Sequence, residues 1–303
     1  MGIKRFVVNL APTSLVKIFA GPYVAGDSIE AAVETAKNFW DTRKVCSTVD
    51  LLGEEIETDE EVDYTVGVYE RLIEALGKQE YATISLKPTQ LGSHKSTDHC
   101  RQVIEGIVAR ADTFDIPVTI DMEDHTFTDM TLEIFKAVKS RYPSFGTVLQ
   151  SRLFRTDDDI RSIAGLEARI RICIGIYVEP KDISMTKKPV MKKKMLEQTE
   201  VLWKEGHYAE IATHDEALIE ESINRAERLN LKKDRYEVQM LMGVPKAAFQ
   251  DKLIAEGIKV RLYVPFAEKW KYATNYAKRR LLSNPAMALY IVKNMFQKTG
   301  GKK

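Results

Sequence analysis

Eight short runs rich in β-branched residues recur along the chain, and segments with helical spacing separate them. The runs are VCSTVDLLG (45–53), ATISLKPT (82–89), PVTIDME (117–123), GTVLQS (146–151), ARIRICIGIY (168–177), YAEIATH (208–214), YEVQMLMG (236–243) and KVRLYVPF (259–266). Between them, apolar residues recur every three or four positions, as in DYTVGVYERLIEALGKQ (63–79). This alternation predicts a (β/α)₈ barrel of the TIM type. An open doubly wound sheet is the alternative, but no strand leads into a glycine-rich phosphate-binding turn.

The composition fits one such barrel in a chain of 303 residues. We expect residues 1–44 to form a helical arm outside the barrel and residues 45–303 to form the catalytic barrel. The 45 Lys and Arg residues balance 44 Asp and Glu residues, which argues against a nucleic-acid partner. Three distant cysteines indicate a reducing compartment, and the five histidines form no metal-ligand pattern. No apolar run reaches about 18 residues, and the N-terminus does not resemble a secretory signal, so we expect a cytoplasmic protein.

Side-chain alternation sorts each strand into a face toward the helices and a face toward the barrel axis. In strand five, every second residue from Ile170 to Ile176 is isoleucine, so the intervening residues should point inward. The inward polar residues near the strand ends are Lys87, Asp121, Gln150, Arg171, Tyr177, His214 and Tyr263. Any one of them could belong to a core ion pair. Seven on one rim predict a functional site, because barrel enzymes place their active sites at the C-terminal ends of the strands.

The stretch YAKRRLLSNPA (276–286) indicates a binding site for a small carboxylate. Tyr276, Arg279 and Arg280 share one face of a predicted helix. Two neighbouring guanidinium groups repel each other unless an anion lies between them, and arginine pairs bind carboxylates with defined geometry. Glu54 and Asp121 are candidate internal partners for these arginines. A solvent-exposed helix face is the alternative interpretation.

Ordered sequence blocks between about Tyr23 and Asn284 resemble the proline dehydrogenase family. They are YVAGDSIE, STVDLLGEE, ISLKPTQLG, VTIDMED, GTVLQSRLFRTDDDI, RICIGIYVEP, YAEIATHDEALI, EVQMLMGV, VRLYVPF and YAKRRL. Each block alone is weak evidence, but their order and strand placement are specific. The resemblance implies a flavoprotein oxidoreductase of proline catabolism that uses FAD. Such an enzyme oxidises L-proline to Δ¹-pyrroline-5-carboxylate by hydride transfer to flavin N5 and passes the electrons to a quinone.

The resemblance also assigns roles to individual positions. It implies that Arg279 and Arg280 bind the substrate carboxylate and that Glu54 pairs with Arg279 as a gate. The implied catalytic set is Lys87, Asp121, Tyr263, Tyr276, Arg279 and Arg280, with Tyr177, Leu241 and Ser283 in the substrate pocket. The implied FAD contacts are Gln150, Arg171, Cys173, Gly175, Thr213 and His214. Arg171 would lie near the flavin ring, where a positive charge favours the reduced form.

The resemblance extends to partners. It implies a separate pyrroline-5-carboxylate dehydrogenase for the product, because no aldehyde dehydrogenase domain is fused to the sequence. We interpret the lysine-rich run KKPVMKKK (187–194) as solvated surface. A peripheral position at the inner face of a membrane is the alternative, because it would suit electron transfer to a quinone.

Several positions depart from the family pattern, among them Ile176, which replaces an alanine, and the run WKYATNY. Ser283 stands where the family shows glutamate, Ile174 replaces a lysine, and Ala267 replaces a glycine. The carboxylate clamp is retained while the amine end differs, so a substituted proline, another cyclic amino acid or an N-alkyl amino acid is an alternative substrate. Two further alternatives stay open: a flavin-free barrel lyase that uses Lys87 as a Schiff-base amine, and a flavin- or carboxylate-binding protein without turnover.

Overall fold

Within residues 21–53 and 56–269, which the computed structural model describes, eight parallel strands close into one barrel. The strands pair in chain order, and β1 closes the barrel by pairing with β8. They are β1 (Cys46–Leu51), β2 (Ala82–Leu86), β3 (Val118–Ile120), β4 (Gly146–Gln150), β5 (Arg169–Cys173), β6 (Tyr208–Ala212), β7 (Tyr236–Leu241) and β8 (Lys259–Phe266). Each predicted run contains one of these strands, so the barrel prediction is confirmed.

Helices follow the strands around the outside of the barrel. They are α1 (Ile29–Arg43), α2 (Asp59–Leu76), α3 (Thr97–Asp112), α4 (Thr128–Lys139), α5 (Thr156–Ser162), α6 (Lys188–Lys204), α7 (Glu216–Arg228) and α8 (Ala247–Ala255). The first helix precedes β1 and packs against β1, β8 and α2. Four helices have an N-cap residue whose side chain accepts a hydrogen bond from a backbone N–H of the first turn. These residues are Ser28, Thr58, Ser96 and Asp215. No helix in this part of the chain has both the length and the apolar character needed to cross a membrane.

The two faces of the strands differ in chemistry, as alternation predicts. The outward faces supply fully buried aliphatic side chains that pack against the helices, including Val49, Ile84, Ile120, Ile170, Ile172 and Val238. The inward faces carry buried polar and charged side chains that bond to each other inside the barrel. A polar interior of this kind is where a barrel can hold a site.

Seven of the eight strands are shorter than their sequence runs, and for β2 and β5 the backbone shows why. The second ends at Leu86, because Pro88–Gln90 form a 3₁₀ turn. The fifth ends at Cys173, because Gly175 has a φ of 103°, which turns the chain out of the sheet. The prediction that Ile176 packs outward as a strand residue is therefore wrong: it lies in the loop between β5 and α6, and 42% of its surface is exposed.

The predicted helical arm over residues 1–44 lies only partly within the described residues. Its described part contains a 3₁₀ turn (Gly21–Tyr23) and α1. The backbone N–H of Ala25 donates to the carbonyl of Pro265 at 2.7 Å, which ties this segment to β8. The domain boundary after residue 44 stays a prediction.

Candidate active site at the C-terminal mouth of the barrel

Asp121 is the centre of the polar cluster at the C-terminal mouth of the barrel. It directly follows β3 and points inward. Its Oδ1 accepts hydrogen bonds from Arg171 Nη1 at 2.6 Å and from Ser85 Oγ at 2.9 Å. Its Oδ2 accepts a bond of 2.6 Å from the Tyr263 hydroxyl and lies 3.6 Å from Lys87 Nζ. Side chains from β2, β5 and β8 thus bond to one carboxylate at the end of β3.

Lys87 lies between two carboxylates. It forms a buried ion pair with Asp50, which is 1% exposed at the end of β1, and its Nζ is 3.5 Å from the Tyr263 hydroxyl. Asp50 was not among the predicted site residues. Alternation along β1 could have found it, because Asp50 lies two residues after Thr48, which also points inward and bonds to Thr83.

The two carboxylates of the cluster differ in acidity. Burial raises the pKa of Asp50 to about 6, although the attraction of Lys87 opposes the rise. Burial would also raise the pKa of Asp121, but Arg171 and Lys87 outweigh it, so that pKa is lowered. Burial and the neighbouring Asp121 raise the pKa of the Tyr263 phenol well above its usual value of 10.0. At neutral pH, Asp121 is therefore ionised and Tyr263 is a hydrogen-bond donor.

Arg171 is the buried cation of the mouth, and it is 7% exposed. Besides Asp121, its Nε donates to Gln239 Oε1 at 2.7 Å. Its guanidinium carbon lies 5.2 Å from the centre of the Tyr263 ring, within the range of a cation–π contact. Burial would lower the pKa of Arg171, but the attraction of Asp121 and Glu210 outweighs it and raises that pKa. Arg171 therefore stays charged inside the barrel.

A second group of predicted residues lies at the rim formed by β4 and β5. The amide of Gln150 donates to the Glu123 carbonyl at 2.7 Å, and its buried Oε1 has no hydrogen-bond partner among the described residues. A Cβ atom on Gly175 would collide with that oxygen. The Cys173 thiol donates to the Leu149 carbonyl at 3.7 Å. Gln150 therefore presents a buried hydrogen-bond acceptor next to Gly175, where no side chain blocks access to it.

A third group lies at the ends of β6 and β7. The His214 Nε2 accepts a hydrogen bond of 2.9 Å from the backbone N–H of Leu241, which fixes the imidazole at the end of β7. The Thr213 hydroxyl accepts from the N–H of Asp215, the residue that caps α7. Leu241 pairs in register with Tyr263 of β8, which brings it to the same mouth.

Tyr177 lies in the loop between β5 and α6 rather than on a strand. Its carbonyl accepts a bond of 2.5 Å from Arg152 Nη1. Of the positions that depart from the family pattern, Ile174 lies in the same loop and Ala267 is buried just after β8. The structure thus joins Lys87, Asp121, Arg171 and Tyr263 directly. Gln150, Cys173 and Leu241 are the last residues of β4, β5 and β7.

The predicted carboxylate clamp lies outside the described residues. This applies to Glu54, Tyr276, Arg279, Arg280 and Ser283. Their roles stay predictions. The structure describes the two backbone positions nearest to Glu54 on either side: Gln90 donates to the Gly53 carbonyl at 2.8 Å, and the N–H of Ile56 donates to the Thr89 carbonyl at 3.1 Å.

The chain matches known proteins over most of its length. The family model described as Proline dehydrogenase matches residues 32–176 and 189–291. Proline dehydrogenase 1 of Bacillus subtilis is 30% identical over 283 residues, which are 93% of this chain and 92% of that protein. Proline dehydrogenase of Deinococcus radiodurans is 32% identical over 281 residues, 91% of this chain and 89% of that protein.

A crystal structure shows the same fold. The barrel superposes with a TM-score of 0.79 on proline utilization A (PutA) from Bdellovibrio bacteriovorus inactivated by N-propargylglycine. The identity is 21%, and the match covers 87% of this chain and 32% of the PutA chain, so this chain spans about a third of that protein. The family match and the curated relatives carry the assignment, and the chain belongs to the proline dehydrogenase family.

Proposed function

We propose that the protein oxidises L-proline to Δ¹-pyrroline-5-carboxylate with FAD as its bound cofactor. The observation that carries the proposal is the closed cluster of Asp50, Lys87, Asp121, Arg171 and Tyr263 at the barrel mouth, in a chain of this family. Curated relatives named proline dehydrogenase, at about 30% identity over nine-tenths of the chain, support proline as the substrate. When bound, FAD supplies the hydride acceptor for the carbon next to the amine nitrogen.

The chemistry of the rim residues fits a flavin. Gln150 Oε1 is a buried acceptor that lacks a partner among the described residues, and the flavin ring system carries an N–H group that can donate to it. Gly175 leaves the approach to this oxygen free of a side chain. Arg171 holds a permanent positive charge nearby, which favours the electron-rich reduced ring. Thr213, His214 and Cys173 complete the set that we propose for the cofactor.

The protein residues position the substrate and exclude water. Arg279 and Arg280 would bind the proline carboxylate, with Lys87 as a third cation. The cluster is balanced in charge, because Lys87 and Arg171 face Asp50 and Asp121. It therefore offers no excess negative charge to hold an ammonium, and a site shielded from water favours the neutral amine that hydride loss requires. No strong general base is needed.

The Schiff-base alternative receives no support from the surroundings of Lys87. A Schiff base forms from the neutral amine. The ammonium of Lys87 is paired with Asp50 and lies 3.6 Å from Asp121 Oδ2, and both carboxylates favour the charged form. We therefore infer an electrostatic role for Lys87 and not a covalent one.

The experiment that tests the proposal is anaerobic reduction of the purified protein. We expect a yellow protein after purification with FAD, and bleaching of its flavin bands by millimolar L-proline. A protein that takes up no FAD would overturn the flavoenzyme assignment. A yellow protein that proline leaves unchanged would favour a different secondary amino acid. A panel of N-alkyl and cyclic amino acids, with Ser283→Glu tested for restored proline oxidation, would then identify the substrate class.

The electron acceptor and the fate of the product are part of the same proposal. We expect the proline-reduced protein to be reoxidised faster by a soluble quinone analogue than by dissolved oxygen, as the family resemblance implies. The product would pass to a separate pyrroline-5-carboxylate dehydrogenase. Stopped-flow reoxidation of the reduced flavin with each acceptor measures this preference directly, and faster reoxidation by oxygen would identify an oxidase instead.

A further inference from the structure

The side chain of Gln239 bridges Arg171 and two buried glutamates below it. Its Oε1 accepts a bond of 2.7 Å from Arg171 Nε. Its Nε2 donates to Glu210 Oε2 and to Glu237 Oε1, both at 2.7 Å. All four side chains are at least 93% buried. Neither glutamate belongs to the set of residues that the proposed reaction uses.

The orientation of this amide is fixed by charge. If the amide were flipped, its oxygen would face two carboxylates and its NH₂ group would face a guanidinium, and each of these contacts is repulsive. The two glutamates therefore hold the Gln239 oxygen against Arg171. Glu237 is firmly ionised: burial opposes ionisation, but Arg261, Arg169 and hydrogen bonds outweigh it and hold the pKa at about 2.

Glu210 also acts on Arg171 through space. Its Oε2 lies 3.7 Å from Arg171 Nε, and its Oε1 binds Arg169 Nη2 at 2.5 Å toward the other end of the barrel. Arg171 thus has one directly bonded carboxylate, Asp121, and a second negative charge behind Gln239. Charges separated by such distances in a buried site interact strongly, because little water screens them.

We propose that Glu210 and Gln239 form a positioning relay that fixes Arg171 and sets the positive potential that it presents at the barrel mouth. The inference rests on the proposed function, because it acts on the flavin that Arg171 would face. It goes further in assigning a role to two residues that would touch neither substrate nor cofactor. In the proposed enzyme, the relay sets how strongly the site favours reduced flavin.

The reduction potential of the bound flavin tests the relay. Glu210→Gln keeps the side-chain volume and removes one negative charge behind Arg171. At a fixed ambient potential we expect the ratio of reduced to oxidised flavin to rise roughly tenfold, which is about 30 mV for a two-electron couple. The matched control is Glu200→Gln, the same change at a half-buried glutamate that pairs with Lys204 and Arg225 on the helices. We expect less than a twofold change in the control.

A second variant, Gln239→Met, tests the relay independently if Glu210→Gln fails to fold. Gln239→Met preserves the charge count but removes the acceptor of Arg171. We expect kcat to fall at least about fivefold while KM for proline stays within twofold, because Arg171 loses its position and the substrate contacts stay intact. Unchanged kcat in this variant, or a potential in Glu210→Gln no higher than in the control, would overturn the relay.

The relay and the proposed function fail in different ways. If the wild-type protein takes up no FAD or no amine reduces it, the proposed function fails and the relay fails with it. If the wild-type protein is reduced by proline and the variants differ from it only in melting temperature, the function stands. Glu210 and Gln239 would then be structural residues of the barrel, and the relay would be wrong.

Discussion

The hydroxyl of Tyr263 in β8 donates a 2.6 Å hydrogen bond to Oδ2 of Asp121, which follows β3, three strands away around the barrel. Arg171 binds the other oxygen of the same carboxylate. One acidic side chain therefore fixes both an aromatic ring and a cation at the mouth. Both carboxylate oxygens are occupied by short bonds, which holds the group in a single orientation.

Removing the Tyr263 hydroxyl should weaken both folding and catalysis. In Tyr263→Phe, Asp121 Oδ2 loses its short donor while it remains buried, which costs about 1–3 kcal/mol in the free energy of unfolding. We expect kcat/KM for proline to fall at least about tenfold, because Asp121 and Arg171 lose their fixed geometry. Urea unfolding of the apoprotein and steady-state kinetics measure the two effects. Wild-type kcat/KM in the variant would contradict the role of this bond.

The raised pKa of the buried Asp50 should make the free energy of unfolding depend on pH. Its pKa of about 6 in the folded protein exceeds its ordinary value of 3.8, so the folded state binds the proton more tightly. The resulting stability is fully present below about pH 4 and is lost as the pH rises through about 6. Relative to Asp50→Asn, the wild-type free energy of unfolding should fall by about 3 kcal/mol between pH 4 and pH 7.

Urea midpoints at several pH values give this difference directly. Asp115→Asn is a suitable control, because Asp115 is an exposed surface aspartate whose partner is Lys78. We expect the difference between wild type and this control to stay nearly constant over the same range. A flat difference for Asp50→Asn as well would show that Asp50 titrates at its ordinary value.

Lys87 and Asp50 should be coupled in stability. Lys87→Met leaves Asp50 buried without its ion-pair partner, and breaking a buried pair from one side costs about 3–5 kcal/mol. Asp50→Asn combined with Lys87→Met removes both charges, so the double variant should be more stable than the sum of the single changes predicts, by at least about 1 kcal/mol. A double-mutant cycle in urea measures the coupling. Strict additivity would mean that the pair contributes no mutual stabilisation.

Gly175 should be required for cofactor binding. An alanine there would adopt a φ of 103° and place its Cβ against Gln150 Oε1 and Arg152 Cδ. We expect Gly175→Ala to raise the Kd for FAD at least about tenfold, in a fluorescence titration of the apoprotein. Gly165→Ala is the matched control, because Gly165 has a φ of 79° but open space around its Cα. That variant should lose about 1 kcal/mol of stability and keep its FAD affinity.

Much of the fold could be predicted because alternation of apolar and polar residues is local. The β-branched outward faces identified all eight strands, and the same rule placed Lys87, Asp121 and Arg171 inside the barrel. Strand five was extended too far because the sequence does not encode the positive φ of Gly175. That error also put Tyr177 on a strand instead of in a loop.

The partners inside the barrel could not be predicted in the same way. Alternation also places Asp50 and Glu210 inward, so the sequence contained the signal that would have added both to the site. Which cation each carboxylate binds depends on the register between strands and on side-chain lengths across the axis. For example, Lys87 pairs with Asp50 on the neighbouring strand, and Glu210 lies between two arginines of β5. The carboxylate clamp on the predicted C-terminal helix stays a prediction.

The side-chain bonds between non-neighbouring strands inside the barrel have a consequence for how the protein opens. Arg171 ties β5 to β7 through Gln239, and Asp121 ties the end of β3 to β8 through Tyr263. A strand that is bonded to a more distant strand as well as to its two neighbours cannot detach alone. Amide hydrogens at the centres of β5, β7 and β8 should therefore report one common free energy of opening in native-state hydrogen exchange, set by the opening of the whole sheet.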